Sequence, residues 1–68
     1  MMNPENLIFN SNIADEVKEW AFGILLNHLD DIKSKVYVKN LVAFNNKILF
    51  MVKIDDIESI IQVPLEID

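Results

Sequence analysis

Hydrophobic and polar positions alternate with two different periods along this chain, and the change between them divides it into a helical half and a stranded half. From Ile13 onward, Ile13, Val17, Trp20, Ala21, Ile24, Leu25, His28 and Ile32 recur at helical spacing. At about 100° per residue they fall on one broad face. Ser11 and Asn12 offer N-cap oxygens before this run, and Asp15 and Glu16 suit the positive end of the helix dipole. Lys33 and Lys35 suit its far end, so the spacing predicts one helix over 12–34. A short apolar piece, Leu7–Phe9, precedes it within an N-terminal arm over 1–10 and is either extended or tucked onto the body.

Phe22, Leu26 and Leu29 fall outside that stripe, which makes the middle of the helix apolar almost all round. Such a helix is covered on both sides. Either the arm folds back over Phe22 and Leu26, or another chain does; the second reading makes Phe22, Leu26 and Leu29 candidates for partner contact. Gly23 lies on the same side, where the missing Cβ would admit another backbone. A Gly23→Leu change is expected to disturb association and spare the monomer.

After Ser34 the period changes to that of strands. Val36–Phe44 is rich in β-branched and aromatic residues, Asn45-Asn46 is a turn signal, Lys47–Ile54 follows, and Asp55-Asp56 makes a second break. Ile60–Ile67 then alternates, with Ile61, Val63, Leu65 and Ile67 opposed to Gln62, Pro64 and Glu66. An odd-length loop at Asn45-Asn46, with Asn46 left-handed, sorts the first two strands most cleanly. Val36, Val38, Val42, Phe44, Ile48, Phe50, Val52 and Ile54 then share the inner face. Tyr37, Lys39, Leu41, Ala43, Lys47, Leu49, Met51 and Lys53 share the outer one. Asn40 interrupts the inner set and marks a candidate bulge. Pro64 cannot donate to a ladder, so the last strand is expected at an edge with Pro64 turned outward, and the first strand at the other edge unless Leu7–Phe9 pairs with it.

The expected fold is α+β: one N-terminal amphipathic helix packed on a three-stranded antiparallel meander over 36–67, the whole of 1–68 forming a single domain. The outer sheet face remains apolar at Tyr37, Leu41, Leu49, Met51 and Ile60, ringed by Lys39, Lys47 and Lys53. Apolar residues inside a charged rim are interface anatomy. Lysine stems lying over a half-wet face are the plainer alternative.

Composition sharpens this picture. A 68-residue chain with 51% hydrophobic residues has a marginal core, and it has no Cys to form disulfides or thiolate metal sites. Oligomerisation or docking on a larger protein is the remaining staple, and a homodimer is expected. The net charge is −5 and every cation is a lysine. Nucleic-acid binders displace counterions with positive charge and favour arginine forks, so no direct nucleic-acid partner is expected. An acidic surface suits a basic partner or simple solubility. The Met-Met-Asn-Pro-Glu-Asn start lacks the regions of a signal peptide, and no stretch approaches a membrane span, so a cytoplasmic location without membrane contact is expected. The Lys/Asn/Ile-rich composition fits an AT-rich bacterial or phage source.

Catalytic chemistry finds little support. Ser11, Ser34 and Ser59 are the only hydroxyl nucleophiles of that type, and His28 is the sole imidazole, placed on the apolar stripe as a packed or edge-of-core histidine. His28 with Asp30 and Asp31 could hold a divalent ion weakly, but the spacing matches no metal motif. Gly23 is mid-helix and builds no phosphate loop. No catalytic, cofactor or metal residue is therefore assigned. The expected function is non-catalytic protein binding: a small acidic inhibitor or regulator, such as a phage protein blocking a host enzyme or defence complex. Phe22, Leu26, Leu29, Tyr37, Leu49 and Met51 are its candidate contacts. The alternatives are a self-assembling structural homo-oligomer or accessory subunit and, more remotely, a small metal-dependent enzyme around His28.

Overall fold

A computed structural model describes residues 3–29 and 32–65. The elements are a 3-10 turn at Pro4–Asn6, strand β1 (Leu7–Phe9), helix α1 (Asp15–His28), and strands β2 (Val36–Phe44), β3 (Lys47–Ile54) and β4 (Ile57–Pro64). The strands form one sheet in the order β1-β2-β3-β4. β1 runs parallel to β2, while β2, β3 and β4 are an antiparallel meander. The α+β class stands, but the sheet is four-stranded and mixed, not three-stranded and antiparallel.

The added strand is the Leu7–Phe9 piece, which is extended. Leu7 pairs with Val36 and Phe9 with Val38. The Asn10 N–H continues the pairing to the Val38 carbonyl at 2.9 Å, and the Asn6 side-chain amide donates to the Lys33 carbonyl at 3.1 Å. Three residues carry too little alternation to announce a strand, and a parallel partner is reached only through a crossover. Here that crossover is α1.

The helix is shorter than the expected 12–34. It starts after Ala14, which makes no side-chain cap bond, and ends at His28. Ser11 and Asn12 are not its caps, because Asn10 organises that segment first. Its Oδ1 accepts from the Asn12 N–H at 3.1 Å and its carbonyl from the Ile13 N–H at 3.0 Å. This local side-chain turn competes with helix and delays its start. Lys33 and Lys35 lie beyond the helix end. Asp30 and Asp31, and with them the His28–Asp31 pairing, lie outside the described residues.

The core consists of Leu7, Ala21, Leu25, Leu29, Val36, Val38, Ile48, Phe50 and Val52. Compared with the expected stripe, the buried face of α1 is turned toward Phe22, Leu26 and Leu29. Leu29 is only 5% exposed, whereas Trp20 is 49% exposed. His28 is also exposed rather than packed. β1 causes this rotation: by extending the sheet past β2 it gives Phe22 an aromatic neighbour in Phe9.

The first hairpin also differs from expectation. Its loop has two residues, Asn45 and Asn46, with φ of 50° and 60°. Paired left-handed residues match the type I′ turn whose twist suits a hairpin. Phe44 therefore faces Lys47, and the extra residue sits inside β2, where the register shifts between Val38 and Asn40. The Asn40 side chain takes the Leu41 N–H at 2.8 Å at this bulge. Beyond it the faces exchange. Leu41 and Ala43 lie opposite Phe50 and Ile48, while Val42 and Phe44 move to the outer face, 47% and 61% exposed.

Asp55 and Asp56 repeat the same turn, with φ of 52° and 65°. Ser34 Oγ donates to Asp55 Oδ2 at 2.7 Å, tying this turn to the segment after the helix. β4 begins at Ile57, ahead of the expected Ile60, and pairs with β3 without a shift from Ile54↔Ile57 to Lys47↔Pro64. Leu65 donates its N–H to Asn46 at 2.8 Å, which places Pro64 on the outward side of an edge strand as expected. Glu66 and Ile67, the last of the expected alternation, lie outside the described residues.

Candidate functional site

Helix α1 covers one face of the sheet, and among the described residues nothing covers the other. Strand alternation sends Ile8, Tyr37, Leu49, Met51, Lys47, Lys53, Glu58 and Ile60 outward, and the bulge adds Val42 and Phe44. Ile8, Tyr37, Val42, Phe44 and Ile60 are exposed, and Leu49 and Met51 lie half-buried between them. Single exposed apolar side chains are ordinary on any protein, but a contiguous group of them marks a contact surface.

The charge of this face differs in sign from that of the chain. Lys39, Lys47 and Lys53 stand against Glu58, in a protein of net charge −5. Lys39 on β2 reaches across β3 to Glu58 on β4, where its ammonium pairs with Oε1. The hydrogen bond from Lys39, then its charge and that of Lys53, hold the Glu58 carboxyl below its ordinary value. Beside this bridge lies a shallow groove of about 570 Å³ lined by Asn10, Lys39, Asn40, Met51, Glu58 and Ile60. A second, of about 310 Å³, lies between Ile8, Lys35, Tyr37, Lys53, Asp55 and Asp56, so its basic and acidic side chains balance.

The candidate contact residues therefore fall in two places. Tyr37, Leu49 and Met51 are together on the open face. Leu29 is in the core, and Phe22 and Leu26 pack partly buried against it. Phe22 contacts Phe9 at a ring-centroid distance of 6.5 Å, so the arm covers that side of the helix. Sequence reasoning did not place Ile8, Val42 and Phe44 on the open face. Ile8 was signalled by its position between inward Leu7 and Phe9. Val42 and Phe44 follow once Asn40 is given the extra residue in place of Asn46. Gly23 is exposed, and a Cβ built on it meets nothing within 4 Å.

Ser11, Ser34, Ser59 and His28 are distributed over a turn, the link before β2, strand β4 and the helix end. Among the described residues no three His, Asp or Glu side chains gather as a metal-binding group, and no helix is long and apolar enough to cross a membrane. No protein-family model matches the chain, and no curated protein or solved structure matches it.

Proposed function

We propose that this protein is a non-catalytic protein-binding module that regulates or inhibits a larger protein by occupying its surface. One observation carries the reading: the outer face of the sheet exposes Ile8, Tyr37, Val42, Phe44 and Ile60 around half-buried Leu49 and Met51. Burying such a face removes apolar area from water at roughly 25 cal/mol per Å². The lysine rim favours a partner with apolar side chains inside an acidic border, since opposite potentials steer encounter and suppress wrong partners.

The test is a paired affinity capture with the wild-type chain and a Leu49→Lys/Met51→Lys variant whose circular dichroism matches wild type. Both substitutions lie on the outer face, away from the core. A stoichiometric protein retained by wild type and lost by the variant supports the reading. Equal retention by both, or none by either, contradicts it.

A further inference from the structure

Among the described residues no strand pairs with the outer edge of β4, which differs in this from the opposite side of the sheet. That side is closed by β1 along Val36–Val38 and distorted by the bulge at Lys39–Asn40. Natural sheets blunt their edges with such bulges, with lysines, with prolines or by keeping edge strands short. Of these devices β4 carries only the proline, and its one charged residue is Glu58. It spans eight residues, pairs with β3 in unbroken register, contains no lysine, and reaches its proline only at its last position.

A two-residue I′ hairpin closes on a hydrogen-bonded pair, here Ile54 with Ile57, so Ile57, Ser59, Ile61 and Val63 direct their backbone groups at β3. The N–H and C=O groups of Glu58, Ile60 and Gln62 therefore point away from the sheet. An antiparallel strand seated on this edge has to bond these three residues.

Of the two-fold registers centred on one of these three residues, the one at Ile60 matches a second β4 best. Centred on Ile60, the two-fold sets Ile60 against Ile60 of the other copy and Glu58 against Gln62, so an amide donor meets a carboxylate twice. Pro64 then falls at the end of the paired segment, where its missing N–H costs little. A register centred on Glu58 opposes two carboxylates, and one centred on Gln62 brings Pro64 into the ladder. On the inner face the Ile60-centred register puts Ile57 across from Val63. Ile57 is 69% exposed in one copy. Like-faced aliphatic pairs across strands are the unit of sheet stabilisation.

The helix is placed consistently with this arrangement. Phe22 faces β1 through Phe9, and Ile24, about 200° further round α1, lies on the side away from β1. Antiparallel pairing of two β4 strands puts both helices on one side of a continuous sheet. Ile57, an exposed large hydrophobic on the inner face of β4, then lies at the seam between the two copies.

We infer that two copies associate through antiparallel pairing of β4, centred on Ile60, to form a continuous eight-stranded sheet. This goes beyond the open-face reading, sharing only its premise of protein binding, and it leaves the outer face free for a larger partner.

Sedimentation and oxidative cross-linking test it together. The wild-type chain should sediment as a dimer at micromolar concentration. Across such a pair the Cα atoms of the two Ile60 residues lie about 5.5 Å apart, within the roughly 4.4–6.8 Å that a disulfide spans. The chain has no Cys of its own, so Ile60→Cys should cross-link efficiently under mild oxidation while Phe44→Cys should not. Gln62→Glu opposes carboxylates at both ends of the interface and should weaken the dimer about tenfold; Gln62→Lys should tighten it. A monomer overturns the inference, as does a dimer in which the Ile60→Cys variant fails to cross-link or both Gln62 variants behave alike. Either result leaves the outer-face capture experiment to be decided on its own outcome.

Discussion

Phe9 of β1 and Phe22 of α1 meet with ring centroids 6.5 Å apart and planes inclined by 38°. This contact fastens the N-terminal arm to the helix and turns the helix on its axis, so that Leu29 enters the core and Trp20 leaves it. Because both rings are partly buried, Phe9→Ala and Phe22→Ala should each cost about 1–3 kcal/mol, below the full cost of a buried phenylalanine. The double variant should show a coupling of about 0.5–1.5 kcal/mol in urea unfolding, as aromatic pairs do. Additive effects would show that the rings do not support each other.

The two hairpin turns place four non-glycine residues in the left-handed region. Glycine occupies that region without a Cβ penalty and is favoured at the second position of a type I′ turn. Asn46→Gly and Asp56→Gly should therefore each stabilise the protein by up to about 1 kcal/mol. Asn45→Val should destabilise it by about 1–2 kcal/mol, since a β-branched residue tolerates positive φ poorly. Unfolding midpoints ordered the other way would contradict the two-residue loops.

Much of this architecture can be read in the sequence, because the periods of helix and strand differ and both turns carry Asn or Asp pairs. The helix, the meander, the edge position of β4 and the outward Pro64 all follow from such local signals. Two features did not follow. β1 owes its strand character to a crossover partner nearly thirty positions away, and Leu7–Phe9 is too short to display a period. The hairpin parity depended on whether the extra residue sat at Asn46 or at Asn40. Sorting by hydrophobicity favoured the turn, yet the sheet keeps a tight turn and puts the irregularity at Asn40, whose side chain bonds the local backbone. That choice moved Val42 and Phe44 onto the open face and enlarged the candidate site beyond Tyr37, Leu49 and Met51.

Core and open face should respond differently to truncation. Leu25 and Phe50 are fully buried, so Leu25→Ala and Phe50→Ala should cost about 2–5 kcal/mol, a large share of a small domain's stability. Phe44→Ser, on the outer face, should change it by no more than about 0.5 kcal/mol. Thermal unfolding of the three variants checks this. A large loss for Phe44→Ser would mean that the ring is covered within a single copy.

Acidification should weaken the Lys39–Glu58 bridge. Lys39 holds its carboxyl below the ordinary value of 4.5, so the bridge's contribution is complete above that value and is lost as the pH falls through the lowered one. Glu58→Gln should accordingly differ from wild type in unfolding midpoint at neutral pH and converge with it in acid. The difference is small for an exposed pair and should shrink further in high salt. A gap that widens on acidification would contradict the Lys39–Glu58 pairing.

Hydroxyl-radical footprinting most directly tests the claim that apolar surface left open in one copy is closed by another protein. Tyr37, Phe44 and Met51 should be oxidised readily in the dilute isolated chain, and several-fold less in the cells that make it. Phe50, inside the core, should stay protected in both settings. Equal oxidation of the three face residues in both settings would contradict the account.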